Sequence, residues 1–158
     1  MKTALYAGSF NPWHLGHTDI LRKSLMVFDK VLVAVGKNPD KATFDYNLNM
    51  MMSDFAPEVK SGVVENHHFE FLLVDFIKEL AVKGTKVDAV IRGLRSAKDL
   101  QFEQEQQYWN EDLGIEVPTI YFVSDRKLVH ISSSYVRAVN RYEDAKKIKD
   151  KIAAGWPH

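Results

Sequence analysis

Three segments of the chain concentrate residue types that can do chemistry. The first reads Gly8-Ser9-Phe10-Asn11-Pro12-Trp13-His14-Leu15-Gly16-His17, with two glycines, a hydroxyl and two histidines just ahead of a helical pattern. N–H groups at a helix start point outward, glycine lets a phosphate come close, and the helix dipole favours negative charge, so this is a natural anion site. His17, in the first turn, is placed to donate to a phosphate oxygen. The plainer reading has Gly8 and Gly16 only making turns and the histidines only packing. A zinc pair at His14 and His17 is disfavoured, because no helix is expected at His14 and no third ligand is spaced nearby. The second segment, Ile91-Arg92-Gly93-Leu94-Arg95 with Asp99 and Glu103 following, sends two arginines out of an apolar run. Guanidinium groups grip phosphate with paired charge-assisted hydrogen bonds, although ion pairs of Arg92 and Arg95 with Asp99 or Glu103 would also account for them. The third segment, Ser132-Ser133-Ser134, is either a helix cap or a second phosphate cradle. Lys41, beside Asn38 and Pro39, reads on its own as a solvated lysine.

Other chemistries lack their residues. The chain has no Gly-x-x-x-x-Gly-Lys-Ser/Thr loop, no Gly-x-Ser-x-Gly elbow, no paired metal-type His-Glu motif and no cysteine. P-loop phosphoryl transfer, acyl transfer by a serine hydrolase, thiolate metal sites and cysteine nucleophiles are therefore disfavoured. What remains is a set of phosphate-binding groups without a strong nucleophile. That inventory suits a reaction in which two substrates supply the bonds and the protein supplies geometry and positive charge.

The elements that must position these groups follow from hydrophobic periodicity. Apolar runs at Lys2–Ala7, Val31–Val35, Val87–Ile91 and Pro118–Val123 read as strands, with a weaker one at Val63–Val64 extending toward Phe69. Helical patterns begin near His17 (Ile20, Leu21, Ser24, Leu25 and Phe28 on one face) and cover Leu72–Val82 and Lys98–Leu113, closed by Gly84 and Gly114. Residues 45–55 also read as a helix, with Met50, Met51 and Met52 as core filler. Lys37–Thr43 reads as a loop, and a basic amphipathic tail helix is expected at about 143–154. Strands alternating with helices predict a single α/β domain over residues 1–158: a Rossmann-like, doubly wound, five-stranded parallel sheet with helices on both faces. In such sheets ligands bind beyond the carboxyl ends of the strands, where the strand order reverses, so the loops after Ala7, Val35, Ile91 and Val123 are the ones to watch.

Composition agrees with a globular domain: 158 residues, 46% apolar and 27% charged, with 21 basic residues balanced by 21 acidic ones. Zero net charge argues against a general nucleic-acid binder, and no apolar run is long enough to span a membrane. The N-terminus opens on a strand-like segment where a signal peptide would carry a longer apolar stretch, and the absence of cysteine fits a cytoplasmic protein.

From Gly8-Ser9-Phe10-Asn11-Pro12 through Gly16-His17, the chain resembles the nucleotidyltransferases with a T/H-x-G-H motif, enzymes that attack the α-phosphate of a nucleoside triphosphate. With Ile91-Arg92-Gly93-Leu94-Arg95, Asp99, Glu103 and Ile131-Ser132-Ser133-Ser134-Tyr135-Val136 added, it resembles the bacterial phosphopantetheine adenylyltransferases over residues 2 to about 140. The resemblance implies transfer of AMP from ATP to 4'-phosphopantetheine, giving dephospho-coenzyme A and pyrophosphate, with Mg2+ carried by ATP and no metal ligand from protein side chains. It implies His17, Lys41 and Arg92 as catalytic residues, His17 stabilising the pentavalent transition state. Ser9, Phe10, His17, Gly93, Leu94, Arg95, Glu103 and the segment Leu128, Val129, His130, Ile131, Ser132, Ser133, Ser134 would bind ATP, while Ser9, Lys41, Leu73 and Arg92 would bind the acceptor. It further implies a homo-oligomer, commonly a hexamer, and coenzyme A as a feedback ligand, with no nucleic acid or membrane partner. Ser9 stands where that family usually has threonine, Asn11 where it has aspartate, and residues 45–57 lack its acidic and arginine helix start. His14-Leu15-Gly16-His17 is a His-x-Gly-His version, more typical of nicotinate mononucleotide and cytidylyl transferases, which keeps a sister enzyme with an acceptor such as nicotinate mononucleotide as the alternative.

Overall fold

Two central strands carry apolar side chains on both faces, and this burial builds the sheet. β1 (Thr3–Gly8, TALYAG) and β2 (Lys30–Gly36, KVLVAVG) are buried almost throughout, as unbroken apolar runs in parallel sheets usually are. The computed structural model describes residues 1–37, 48–139, 141, 150 and 153. Its remaining elements are α1 (Leu15–Ser24), α2 (Asn49–Asp54), α3 (Ala56–Ser61), β3 (Val64–Phe69), α4 (Leu73–Val82), β4 (Ala89–Leu94), α5 (Ala97–Asp112), β5 (Thr119–Val123), a 3-10 turn at Arg126–Leu128 and α6 (Ser133–Val139).

All five strands run parallel in the order β3-β2-β1-β4-β5. The chain winds outward from β1 through β2 to β3, then crosses back to place β4 on the other side of β1. The strand order therefore reverses between β1 and β4, and the crevice beyond their carboxyl ends is the place where such a sheet binds ligands.

Alternation along the strands divides the core in two. Tyr6, Val31, Val33, Val64 and Ile91 face the layer formed by Ile20 and Leu21 of α1, Met51 of α2 and Phe55. Leu5, Ala7, Leu32 and Ala34 face Phe76 and Leu80 of α4. α5 lies on that second face, since Glu103 and Gln107 bond to Arg92 and Tyr121, which alternate with the inward residues Ile91, Ile120 and Phe122.

Several expected boundaries move, each for a local reason. β4 does not stop at Ile91: Arg92, Gly93 and Leu94 pair with Tyr121, Phe122 and Val123. A charged residue and a glycine look like a loop until a partner for the charge is known, and Glu103 is that partner. α1 starts at Leu15, two residues early, because His14 caps it with its own side chain. It ends at Ser24, so Leu25 and Phe28 pack from the following turn. The weak strand is a full one, β3, in which only Val64 is buried and half-buried residues alternate with exposed ones, as an edge position allows. Where one helix over 45–55 is expected, α2 and α3 are separated at Phe55. Of the three methionines only Met51 is fully buried, Met52 being 44% exposed. Residues 38–47, with Lys41, lie outside the described residues, as does the tail at 143–154 apart from Asp150 and Ala153, both helical.

Candidate active site

The loop from Gly8 to His14 folds back over the end of β1. Phe10 has a left-handed backbone (φ 41°), and its ring covers the face of Gly8 so closely that a Cβ there would lie 3.1 Å from it. The Asn11–Pro12 peptide is cis. His14 then caps α1: its Nδ1 accepts from the Gly16 N–H at 3.1 Å, and its own backbone N–H donates to Nδ1 of His17 at 3.2 Å. Gly16 is required by this contact, since a Cβ would stand 2.9 Å from Cε1 of the His14 ring.

This capping arrangement fixes the chemistry of both imidazoles. Each Nδ1 accepts an N–H, so in the neutral ring the proton sits on Nε2, and each ring offers Nε2–H as a donor. Burial holds His17 well below the usual histidine range, and the nearby His14, Arg95 and Arg92 add to the effect. Burial, followed by the charge of Arg95, lowers His14 to about 4. The two rings stack at 3.7 Å, and Phe10 and Trp13 stand 4.9 and 5.3 Å from His17. Trp13 is held in turn by its Nε1–H donating to Thr18 Oγ1 at 2.9 Å.

Two neighbouring lobes open at the carboxyl ends of β1 and β4. The smaller, about 220 Å³, is lined by Phe10, His14, His17, Gly93, Arg95 and Ile131 among others. The larger, about 350 Å³, is lined by Phe69, Leu73 and a polar row from α5, Gln106, Gln107 and Asn110, with Tyr121 opposite. Ala7, Gly8, Ser9, Arg92 and Glu103 border both lobes. Arg92 is anchored there by Nε and Nη2 donating to the two oxygens of Glu103 at 2.6 and 2.9 Å and by Nη1 donating to the Ala7 carbonyl at 2.8 Å. Burial opposes the Arg92 charge, but the Glu103 carboxylate outweighs it and keeps the guanidinium firmly protonated. Arg95 bonds to Asp99 through Nε at 3.2 Å and reaches the Ile131 carbonyl at 3.4 Å.

The serine segment plays a structural part in this arrangement. Ser132 Oγ caps α6 by accepting from the Tyr135 N–H, Ser133 Oγ donates to the Pro12 carbonyl at 3.1 Å, and Ser134 Oγ accepts from Arg137. Arg137 also donates to the Asn11 carbonyl. α6 is thereby fastened onto the loop that carries His14. Ile131 reaches the smaller lobe, whereas Leu94, Leu128, Val129, His130, Ser132, Ser133 and Ser134 stand outside its walls. Ser9, Phe10, His17, Leu73, Arg92, Gly93, Arg95 and Glu103 all line the cleft. The row Gln106, Gln107 and Asn110 escaped sequence reading; its spacing from Glu103 is helical, a signal that becomes visible once one residue of α5 is known to face the site.

The Cytidylyltransferase-like family matches residues 5–139. A phosphopantetheine adenylyltransferase of Clostridium beijerinckii is 36% identical over 144 residues, covering 90% of this chain and 86% of the relative. One from Finegoldia magna is 38% identical over 139 residues, 87% of this chain and 82% of that one. This chain belongs to the phosphopantetheine adenylyltransferase family. Its fold is also that of the nicotinic acid mononucleotide adenylyltransferase of Plasmodium falciparum, with a TM-score of 0.63 at 16% identity over 95% of this chain and 90% of that one. The two lobes meet at Ser9, Arg92 and Glu103, the smaller lying over α1 and the larger along α5. Among the described residues no cluster of three or more histidines, aspartates or glutamates is arranged to hold a metal ion, and no helix is long and apolar enough to cross a membrane.

Proposed function

We propose that the protein transfers the adenylyl group of ATP to 4'-phosphopantetheine, forming dephospho-coenzyme A and pyrophosphate. The observation that carries this reading is the pair of lobes at the strand-order reversal, joined at a wall that holds Ser9 and Arg92. Two anionic substrates placed there meet end to end. A phosphate oxygen of the acceptor attacks the α-phosphorus of ATP, the bond to the bridging oxygen of the β-phosphate breaks, and pyrophosphate leaves with that oxygen. The attacking phosphate is already ionised near neutral pH, so the step needs no general base.

The protein's part is orientation and charge. His17 donates Nε2–H to the α-phosphate as negative charge builds on its equatorial oxygens; being neutral, it serves as a fixed dipole whose proton stays in place. Arg95 faces the nucleotide side, with Ser9 and Gly93 lining the approach. Arg92 and Lys41 hold the acceptor phosphate, Lys41 by resemblance alone, and Leu73 flanks the pantetheine arm. Mg2+ enters on the triphosphate as part of the substrate. In this reading the enzyme is a cytoplasmic homohexamer that also binds coenzyme A as a feedback ligand. Light scattering should then give six times the 18.1 kDa chain mass, and a dimer or monomer would end the hexamer assignment.

The deciding experiment measures pyrophosphate release from MgATP with product mass spectrometry, offering 4'-phosphopantetheine and nicotinate mononucleotide side by side. Dephospho-coenzyme A as the preferred product supports the reading. Preference for nicotinate mononucleotide would transfer the assignment to the sister reaction that the His14-Leu15-Gly16-His17 sequence keeps open.

A further inference from the structure

A carboxylate on the wall of a cleft built for phosphates is electrostatically adverse, because it repels the ligand that the neighbouring arginines attract. Glu103 occupies that place: its side chain is 12% exposed and borders both lobes. Both of its oxygens are engaged by Nε and Nη2 of Arg92, and the third bond of the guanidinium runs from Nη1 to the carbonyl of Ala7 at the end of β1. The helix segment that carries Glu103 is itself pinned to β5, where the Tyr121 hydroxyl donates to Gln107 Oε1 at 2.7 Å and lies 3.4 Å from the Glu103 carbonyl. Three bonds from two elements thus fix the plane of the guanidinium before any ligand arrives.

A guanidinium has five N–H donors, so this arrangement leaves two, one on each terminal nitrogen, on a side chain that lines both lobes. A phosphate met by these remaining N–H groups needs no rearrangement of the ion pair. We infer that Glu103 is a positioning residue: it clamps Arg92 by the side edge so that the remaining N–H groups are presented, already oriented, to the acceptor phosphate. The inference rests on the proposed acceptor and gives Glu103 a different task from the nucleotide contact that family resemblance implies. A flexible arginine loses rotamer freedom when it binds, and the clamp removes that loss in advance.

The test combines a double-mutant cycle with a direct view of the guanidinium. E103Q and E103A are each assayed for the acceptor KM, with phosphopantetheine as the varied substrate, and for the MgATP KM. Both are measured alone and combined with R92A, with a thermal melt to check folding. Each single variant should raise the acceptor KM about tenfold or more and leave the ATP KM within about twofold. R92A/E103Q should be no worse than R92A within about twofold, because the clamp acts only through Arg92. A matching rise in ATP KM, or losses that multiply in the double variant, would overturn the clamp and return Glu103 to the nucleotide. Independently of any substrate, the Arg92 Nε–H resonance in a 15N-labelled chain should exchange slowly with water and be lost in E103A. An unchanged resonance would also overturn the inference. If the unmodified enzyme fails to use phosphopantetheine, the acceptor assignment falls on that result alone, while the resonance and its shift on titration with inorganic phosphate still decide the clamp.

Discussion

At the scale of single residues, main-chain groups orient the side chains that line the cleft. Nδ1 of His17 is held by the backbone of His14, so the imidazole presents its proton on the far nitrogen, and replacing His17 by alanine should lower kcat about 10² to 10³-fold, as loss of one transition-state donor does. Near-wild-type turnover would remove His17 from the chemistry. The depressed histidines also make acid stability predictable in sign. In the unfolded chain His14 takes up a proton near pH 6.5, whereas in the fold it does so only near 4. The unfolded state therefore binds more protons between those values, and stability falls as pH drops through that window, by about 3 kcal/mol for His14. Urea titrations at pH 7 and pH 4.5 would measure it, and His14→Asn, which keeps a capping side chain, should flatten the slope. The segments that reach the cleft were legible in the sequence because they follow strand ends: Ser9 and Phe10 lie in the loop after β1, His17 in the first turn of α1, and Arg92, Gly93 and Arg95 at the end of β4. The pairing of Arg92 with Glu103 was legible only as one of two options, since sequence does not say whether an arginine that pairs can also serve a ligand. The structure makes both compatible: three N–H groups hold the arginine and two remain.

Secondary-structure elements act here as brackets that bring these residues within reach. α1 lies against β4 where Gly93 has no side chain; a Cβ would come within 2.9 Å of Ile20 Cγ1. Gly93→Ala should cost about 1 to 3 kcal/mol through overpacking and tilt α1 away from the cleft, lowering both melting temperature and turnover. Stability lost with full activity would show that the site tolerates the shift. Arg137 in α6 is a second bracket, since it donates to the Asn11 carbonyl. Arg137→Ala should leave the sheet intact and raise the KM for ATP, and a circular dichroism spectrum with assays would separate the two effects. The strands were legible as unbroken apolar runs, but their ends were not: β4 continues through a charge and a glycine because α5 supplies a carboxylate, and that contact spans eleven positions in sequence. The start of α1 was obscured because histidine is a less usual cap than serine or aspartate. β3 looked weak because an edge strand needs only one buried face.

For the molecule as a whole, the reversal of strand order between β1 and β4 sets the place of the site, and the two-sided core makes that place rigid. Leu32 is fully buried between Leu5, Phe76 and Leu80, and Leu32→Ala should cost about 2 to 5 kcal/mol in urea denaturation while a folded fraction keeps its catalytic constants. A smaller loss would mean that α4 settles into the gap. The parallel, doubly wound sheet followed from alternation of strands and helices, which is why the fold class was readable without any site, whereas the strand order β3-β2-β1-β4-β5 is supplied by the structure. The ties from Ser133 to Pro12 and from Arg137 to Asn11 join positions more than a hundred residues apart. During synthesis, therefore, a nascent chain ending just after β5 already holds every strand of the sheet, yet the loop bearing His14 still lacks its fastening. That fastening waits for a seven-residue helix that contributes nothing to the sheet.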